Sequence, residues 1–202
     1  MSGIPILVEG ASLSVLVVGG GPVALRKAEA FATAGAAVRV VALEPSAAIR
    51  ALARLQNVEL VERAYERDDI GDAQLVVAAT GDRTTNAAIA VDARHAARLV
   101  NVVDAPAEGS FATMAVHRAG ALVVGVSAGG VPGAAARVRD AIARRFDARY
   151  AGALDGLATL RRALIDRGSS NAWRALAADV IDEQFCETVE KDRLDARVAE
   201  WR

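Results

Sequence analysis

The chain has 202 residues, a length that suits one large domain or one medium-sized domain with a smaller appendage. A formal net charge of -1 gives no overall attraction to nucleic acid or to an anionic membrane, and 4% aromatic residues make a base-stacking surface unexpected. The single cysteine, Cys186, excludes an internal disulfide and any multi-cysteine metal site.

Nothing in the sequence indicates a targeting or membrane segment. Residues 1–5 have no basic region ahead of a long apolar run, so we expect no signal peptide, and no apolar stretch is long enough to cross a bilayer. We therefore expect a cytoplasmic protein. His95 and His117 lie far apart in sequence without a Cys/His cluster beside them, which predicts no metal site.

The stretch 15–24, Val-Leu-Val-Val-Gly-Gly-Gly-Pro-Val-Ala, predicts a buried strand, a tight turn and a helix that runs to Gly35. Glycines let the backbone approach a ligand closely, and the free N–H groups of a helix start attract phosphate. The spacing Gly19-x-Gly21-x-x-Ala24 fits the alanine-ended dinucleotide fingerprint, so it predicts nucleotide binding.

The following residues predict a repeated alternation of strands and helices. Strands are expected at 38–42, 58–62, 74–80 and 99–103, and helices at 46–55 and 84–97. This alternation predicts a doubly wound parallel sheet of the Rossmann type, in which ligands bind at the carboxyl ends of the strands. The loops 19–23, 79–82 and 101–104 are expected to meet there.

Glu44 admits two interpretations. It lies about 20 residues beyond the glycines, where an acidic side chain would take the ribose hydroxyls of NAD and repel the 2′-phosphate of NADP. Equally, it could be a helix N-terminal acid, because Pro45-Ser46 could begin the next helix.

The pattern changes after Asp104. Segments 110–117 and 121–126 flank the short turn 118–120 and predict an antiparallel hairpin, followed by a basic helix over 134–149. Residues from 150 onward look helical with a break at 167–171, where Ser170 or Asn171 could cap the next helix. We predict a Rossmann domain at 1–108, a dimerisation segment at 109–149 and a helical domain at 150–202.

Two features could carry chemistry. Asp104, at the end of the fifth strand, could be a general base beside a cofactor or a turn-forming residue before Ala105-Pro106. A cluster of arginines in the basic helix could be a solvated face or a surface for a ligand with several carboxylates, because guanidinium groups pair with carboxylates. The cluster comprises Arg137, Arg139, Arg144, Arg145 and Arg149.

Several ordered motifs together resemble a known family. Residues 19–24 with Arg26-Lys27 are similar to GGGxVAxRK, 78–82 with Asn86 to AATxDxxxN, 101–106 with Phe111 to NVVDxP…F, and Ser127 with 129–130 to a serine-glycine stretch. On these residues the chain resembles the siroheme synthase N-terminal domain family, the precorrin-2 dehydrogenases. The resemblance is dense from Ile4 to about Arg145 and faint beyond it.

The resemblance implies the fold and the activity. It implies NAD-dependent oxidation of precorrin-2 to sirohydrochlorin by a homodimer with a Rossmann domain, a dimerisation segment and a helical tail. Asp104 corresponds to the catalytic aspartate, and the tetrapyrrole carboxylates suit Arg118, Ser127 and Arg137 as substrate contacts. The expected cofactor contacts are Gly19, Gly20, Gly21, Pro22, Val23, Leu43, Glu44 and Thr80.

The chain also departs from the family pattern. Ala128 stands where a hydroxyl is usual, Pro132-Gly133 where a Ser-Pro pair is usual, and Met114 where a proline is usual. Some members also insert ferrous iron. Two alternatives therefore stay open beside dehydrogenation: a chelatase that has lost it, and a non-catalytic sensor of NAD or tetrapyrrole.

Overall fold

A computed structural model describes residues 3–199 and 201 of the chain. The chain forms two compact units, one that ends at Thr113 and one that begins at Met114. The prediction of no signal peptide rests partly on residues 1 and 2, which lie outside the described residues. Within the described residues, none of the helices combines the length and the hydropathy that a bilayer-spanning segment needs.

The first unit is built on a five-stranded sheet in the order β3-β2-β1-β4-β5, with every neighbouring pair parallel. The predicted doubly wound parallel sheet is therefore confirmed. The central strand β1 is buried on both faces, because its apolar residues leave no polar side of the strand for solvent. The strands are β1 (Ser14–Val18), β2 (Ala37–Val41), β3 (Val58–Val61), β4 (Leu75–Ala78) and β5 (Leu99–Val102).

Three helices cover this sheet: α1 (Pro22–Thr33), α2 (Ala47–Leu52) and α3 (Arg83–His95). Buried alanines of α1 pack with Val15 and Val17 on one face of the sheet, which permits a close approach of helix and strand. Ile89 of α3 packs with Leu16 on the other face. Helix α2 is shorter than predicted and begins after Ser46, whose hydroxyl accepts a hydrogen bond from the Ile49 N–H at 3.4 Å.

The second unit is a hairpin followed by five helices. The antiparallel strands are β6 (Ala115–Ala119) and β7 (Leu122–Val126). A core cluster that includes Tyr150, Leu157 and Leu176 joins the later helices. The helices are α4 (Pro132–Arg145), α5 (Ala148–Asp166), α6 (Ser170–Val180), α7 (Phe185–Glu190) and α8 (Leu194–Ala199).

The hairpin differs in detail from the prediction. Its turn is Gly120-Ala121, so Arg118 and Ala119 belong to β6. Residues 110–114 are not strand: the Ser110 hydroxyl accepts from the Val100 N–H at 2.8 Å, and the Ser110 N–H donates to the Val100 carbonyl at 2.7 Å. These bonds attach the segment to the edge of β5 instead.

The predicted basic helix over 134–149 is two helices. Helix α4 ends at Arg145, and Asp147 begins α5 by accepting a hydrogen bond from the Arg149 N–H at 3.0 Å. An aspartate that caps a new helix explains the break, since its carboxylate competes for the backbone N–H. The predicted cap of α6 was also wrong, because Ser169 holds the N-cap position without a side-chain bond.

Candidate functional site

A cleft of about 600 Å³ lies at the carboxyl ends of the strands of the first unit. It is formed by the glycine loop after β1, the loop after β2, residues beyond β3 and the loop between β4 and α3. In an open parallel sheet this edge is where ligands bind. Its lining consists of residues 18–21, 41–44, 46, 63–65, 80–82 and 85.

The three glycines of this loop have different roles. A Cβ on Gly19, whose φ is +136°, would lie closer than 3.0 Å to the Ala79 carbonyl oxygen, and a Cβ on Gly20 equally close to that of Glu44. Gly21 has no atom within 4 Å of the Cβ position and an extended backbone that any residue adopts. Internal packing therefore requires Gly19 and Gly20, whereas the free space at Gly21 suits a close ligand.

The glycine loop continues directly into α1. Gly21 is the N-cap, Pro22 is the first helical residue, and no side chain in the described part of the chain caps this helix end. The Leu25 N–H donates to the Gly21 carbonyl at 3.0 Å, while Ala24 is fully buried against the sheet. A helix N-terminus open to the cleft favours an anion such as a pyrophosphate, so the residues fit a dinucleotide.

Leu43 and Glu44 follow β2 and line the cleft, and Leu43 is 69% exposed despite its apolar side chain. Glu44 is also exposed and precedes the Ser46 cap, so it is not in the first turn of α2, which carries no acidic residue. Glu44 is therefore not an acid of the first turn of α2, and its contact with a ribose stays a prediction. The predicted contacts Pro22 and Val23 lie in the first turn of α1, outside the cleft lining.

Thr80 lines the other end of the cleft and is positioned by a buried amide. Asn86, which has no solvent exposure, accepts from the Thr80 N–H at 3.0 Å through Oδ1 and from the Thr80 hydroxyl at 2.8 Å. Its Nδ2 donates to the Thr80 carbonyl at 3.2 Å. These three bonds explain why an asparagine stands six residues beyond the threonine.

Asp82 begins α3 and also lines the cleft. Its Oδ2 accepts from the Thr85 hydroxyl at 2.5 Å and from the Thr85 N–H at 2.7 Å, and these hydrogen bonds lower the pKa of Asp82. The Asp82 carboxylate therefore caps the N-terminus of α3.

Arg63, just beyond β3, belongs to the cleft wall but was missed from the sequence. Asp69 is 5% exposed and accepts from both terminal nitrogens of this guanidinium, at 2.8 and 2.6 Å. Burial alone would raise the pKa of Asp69, but the bonds from Arg63 and the Glu66 N–H hold it below its usual value. The available signal was position: Arg63 follows a parallel strand at the same edge as Glu44.

Tyr65 is the neighbouring residue in that wall. Its hydroxyl donates to Asp92 Oδ2 at 3.1 Å, and burial together with that carboxylate raises the pKa of Tyr65. The phenol is therefore a hydrogen-bond donor rather than a base at neutral pH.

Asp104 is exposed and lies two residues beyond β5, outside the lining of the cleft. The ion pair with Glu108 and, less strongly, the charge of Asp104 raise the pKa of Arg83. Nearby, Asn101 is 8% exposed and donates to the Phe111 carbonyl at 3.0 Å. Asp104 thus lies at the carboxyl end of β5, outside the cleft lining, and its catalytic role stays a prediction.

Lys27 of α1 is a further ionisable group with an altered environment in this unit. Its ammonium donates to the Thr113 hydroxyl, and burial followed by repulsion from Arg26 lowers the pKa of Lys27. The lysine attaches α1 to the last residue of the unit.

The predicted substrate contacts Arg118, Ser127 and Arg137 belong to the second unit, and all three side chains are exposed. Arg118 lies on β6 opposite Val123, Ser127 follows β7, and Arg137 lies on α4. The arginine cluster is partly committed to internal ion pairs. These pairs join Arg139 to Asp140, Arg145 to Glu190 and Arg149 to Asp147.

The histidines are not close to other metal-binding side chains. Among residues 3–199 and 201, no three His, Cys, Asp or Glu side chains are grouped to hold a metal ion. His95 is exposed at the end of α3, and His117 Nε2 lies 2.5 Å from the Phe146 carbonyl oxygen.

Comparisons with known proteins agree with this geometry. A family model described as "Putative NAD(P)-binding" matches residues 6–115. A siroheme synthase of Pseudomonas putida (strain W619) is 48% identical over 116 residues, which are 57% of this chain and 25% of the relative. A siroheme synthase of Stutzerimonas stutzeri (strain A1501) is 37% identical over 190 residues, 90% of this chain and 41% of the relative.

The solved structures include a neighbour in fold. A protein named "SirC, precorrin-2 dehydrogenase" superimposes with a TM-score of 0.79 at 24% identity, and the match covers 98% of both chains. The present chain spans only about a quarter to two fifths of the length of the two siroheme synthases. The chain belongs to the family that this NAD(P)-binding model describes.

Proposed function

We propose that the chain catalyses the NAD-dependent oxidation of precorrin-2 to sirohydrochlorin. The observation that carries the proposal is the dinucleotide cleft, in which Gly19 and Gly20 are packed against neighbouring loops while Gly21 is open beside the start of α1. The substrate is inferred from the related siroheme synthases and from the name of the structural neighbour.

The cofactor is proposed to be NAD rather than NADP. Glu44 is exposed in the cleft wall after β2, where an acidic side chain binds the ribose hydroxyls and repels a 2′-phosphate. The glycine loop and the start of α1 would hold the pyrophosphate. Thr80, at the β4 end of the cleft, would then face the nicotinamide half.

The reaction removes two hydrogens from the tetrapyrrole. The bound nicotinamide supplies the acceptor for a hydride from a reduced ring carbon. Asp104, or solvent, takes the proton that balances the hydride transfer, which an exposed carboxylate at the edge of the sheet can do. The protein contributes binding and orientation of the two reactants.

The substrate is a polycarboxylate, and we assign its recognition to the second unit. Arg118 and Arg137 are exposed and carry no ion pair with any described residue, so their guanidinium groups are available for carboxylates. Ser127, which lies between these two arginines in the sequence and follows β7, adds an exposed hydroxyl. We further propose a cytoplasmic homodimer, because α4 packs on the two-stranded sheet β6-β7 but neither strand has a second neighbouring strand among the described residues, which a partner subunit could supply.

Incubation of the pure protein with precorrin-2 and either NAD or NADP, without oxygen, tests the proposal. We expect NADH and sirohydrochlorin with NAD, and much slower turnover with NADP. A parallel incubation supplies sirohydrochlorin and ferrous iron. Iron insertion there, with no NADH formed from precorrin-2, would instead identify a chelatase that lacks dehydrogenation. Binding of NAD or tetrapyrrole without any product would identify a sensor.

A further inference from the structure

In the strand order, Arg63 lies one strand farther from the glycine loop than Glu44, the residue that the proposed function assigns to the ribose. It follows β3, which is the neighbour of β2 on the side away from β1, whereas Glu44 follows β2 itself. Both residues line one cleft. A dinucleotide with its pyrophosphate at the glycine loop and its adenosine ribose at Glu44 therefore places its adenine toward Arg63. This inference rests on the proposed binding of NAD.

The guanidinium of Arg63 is held in one orientation. Nη1 donates to Asp69 Oδ2 at 2.8 Å and to the Ala64 carbonyl at 2.9 Å, while Nη2 donates to Asp69 Oδ1 at 2.6 Å. Asp69 is itself fixed, because it is 5% exposed and accepts from the Glu66 N–H at 2.8 Å. A bidentate pair between a buried carboxylate and a planar guanidinium fixes the plane of the arginine as well as its position.

These bonds decide which ligand groups Arg63 can bind. The pair of terminal nitrogens is directed at Asp69, and the charges of Asp69 and Glu66 offset the positive charge that a 2′-phosphate would require. The side chain remains 41% exposed, and a guanidinium can stack its flat face on an aromatic ring. Leu43, 69% exposed in the same cleft, supplies apolar surface suited to a flat heterocycle.

We propose that Arg63, fixed by Asp69, is the adenine-binding platform of the cleft and selects for an adenine-containing dinucleotide. The negative charge of Asp69 beside the guanidinium makes the arginine a poor receptor for a 2′-phosphate. Arg63 thus strengthens NAD binding through the base, whereas Glu44 selects NAD through the ribose.

Calorimetric titration of the full chain with NAD, ADP-ribose and nicotinamide mononucleotide tests this role. Arg63→Lys keeps the positive charge beside Asp69 but removes the planar face. We expect the Kd values of NAD and ADP-ribose to rise about fivefold, with that of nicotinamide mononucleotide unchanged. The matched control is Arg39→Lys, because Arg39 pairs with Glu59 at 2.8 Å outside the cleft lining; it should change none of the three.

A second variant keeps the test informative if Arg63→Lys does not fold. Leu43→Ala removes an exposed side chain at the same end and should weaken NAD and ADP-ribose but not nicotinamide mononucleotide. An unchanged NAD affinity in folded Arg63→Lys overturns the platform, as does a larger loss for NADP than for NAD. If the unmodified chain binds neither NAD nor ADP-ribose, the proposed function itself fails, which is a distinguishable result.

Discussion

The two units of this chain are held together in different ways. In the first, backbone segments approach so closely that the side chain is excluded, as at Gly20, where a Cβ would collide with the Glu44 carbonyl. In the second, the close contacts at glycines are with side-chain atoms, of Ala151 at Gly120 and of Met114 at Gly125, and Gly152 of α5 has nothing within 4 Å of the Cβ position. Its helices are also joined by ion pairs, for example the 2.7 Å pair between Arg145 and Glu190.

The two units therefore suit two different ligands, a dinucleotide in the first and a polycarboxylate in the second. A dinucleotide needs a loop whose shape is fixed by backbone contacts, so few substitutions are compatible with it. A polycarboxylate needs exposed cationic side chains, and these can be supplied at many positions on a helical surface. We therefore expect substitutions in the glycine loop of the first unit to affect fold and cofactor, and substitutions of exposed arginines in the second unit to affect mainly the substrate.

The largest expected effect comes from Asp104, the proposed proton acceptor of the first unit. Asp104→Asn should lower the turnover of precorrin-2 by about 100-fold or more, because a neutral amide cannot take the proton. The Kd of NAD should stay unchanged, since Asp104 lies outside the cleft lining. Turnover and calorimetry on the same preparation measure both, and full activity in the variant would remove Asp104 from the mechanism.

A matched pair of glycine substitutions tests the comparison through stability. Gly20→Ala should lower the free energy of unfolding by about 1–3 kcal/mol, because the new methyl group meets a carbonyl that cannot move freely. Gly152→Ala, in a helix with open space, should be neutral or stabilising by up to about 1 kcal/mol. Denaturant unfolding followed by circular dichroism measures the two; equal losses would contradict the distinction.

A substitution at Gly21 should weaken cofactor binding without lowering the stability of the fold. Its Cβ position is empty and its backbone is extended, so Gly21→Ala should change the free energy of unfolding by less than about 0.5 kcal/mol. The Kd of NAD should nevertheless rise about tenfold, because the methyl group occupies the space proposed for the pyrophosphate. Undiminished NAD affinity would show that the dinucleotide does not approach Gly21.

The smallest expected effect is a loss of folding stability at low pH, to which one helix-capping aspartate in each unit contributes. Hydrogen bonds from Thr85 lower the pKa of Asp82, and those from Arg149 lower the pKa of Asp147, in each case from 3.8. A carboxylate with a depressed folded-state pKa stabilises the fold above pH 3.8, and this contribution is lost as the pH falls below that value.

Asparagine keeps the capping oxygen without the titration. Asp82→Asn and Asp147→Asn should therefore each flatten the fall of melting temperature between neutral pH and about pH 3. Thermal unfolding over that range checks this, with Asp155→Asn on an exposed part of α5 as the control. A fall as steep as that of the unmodified chain would mean that neither cap contributes.

Much of the first unit could be predicted because its signals are local. The apolar, mostly β-branched run 15–18, which ends at glycines, favours a buried strand, and the glycine spacing after it predicts the turn. Arg63 was missed although its place after β3 indicated the cleft, whereas its pairing with Asp69 could not be predicted, because Asp69 lies in a short turn that has no hydrophobic periodicity. The break between α4 and α5 was missed because the basic pattern continues through the Asp147 cap.

The central claim is that this chain transfers a hydride from precorrin-2 to NAD. The most direct measurement is a single-turnover reaction without oxygen, in which NADH and sirohydrochlorin are quantified against the precorrin-2 supplied. The account predicts one NADH for each sirohydrochlorin formed, with almost no product in Asp104→Asn. Sirohydrochlorin without NADH, or tight binding of both reactants without either product, would contradict it.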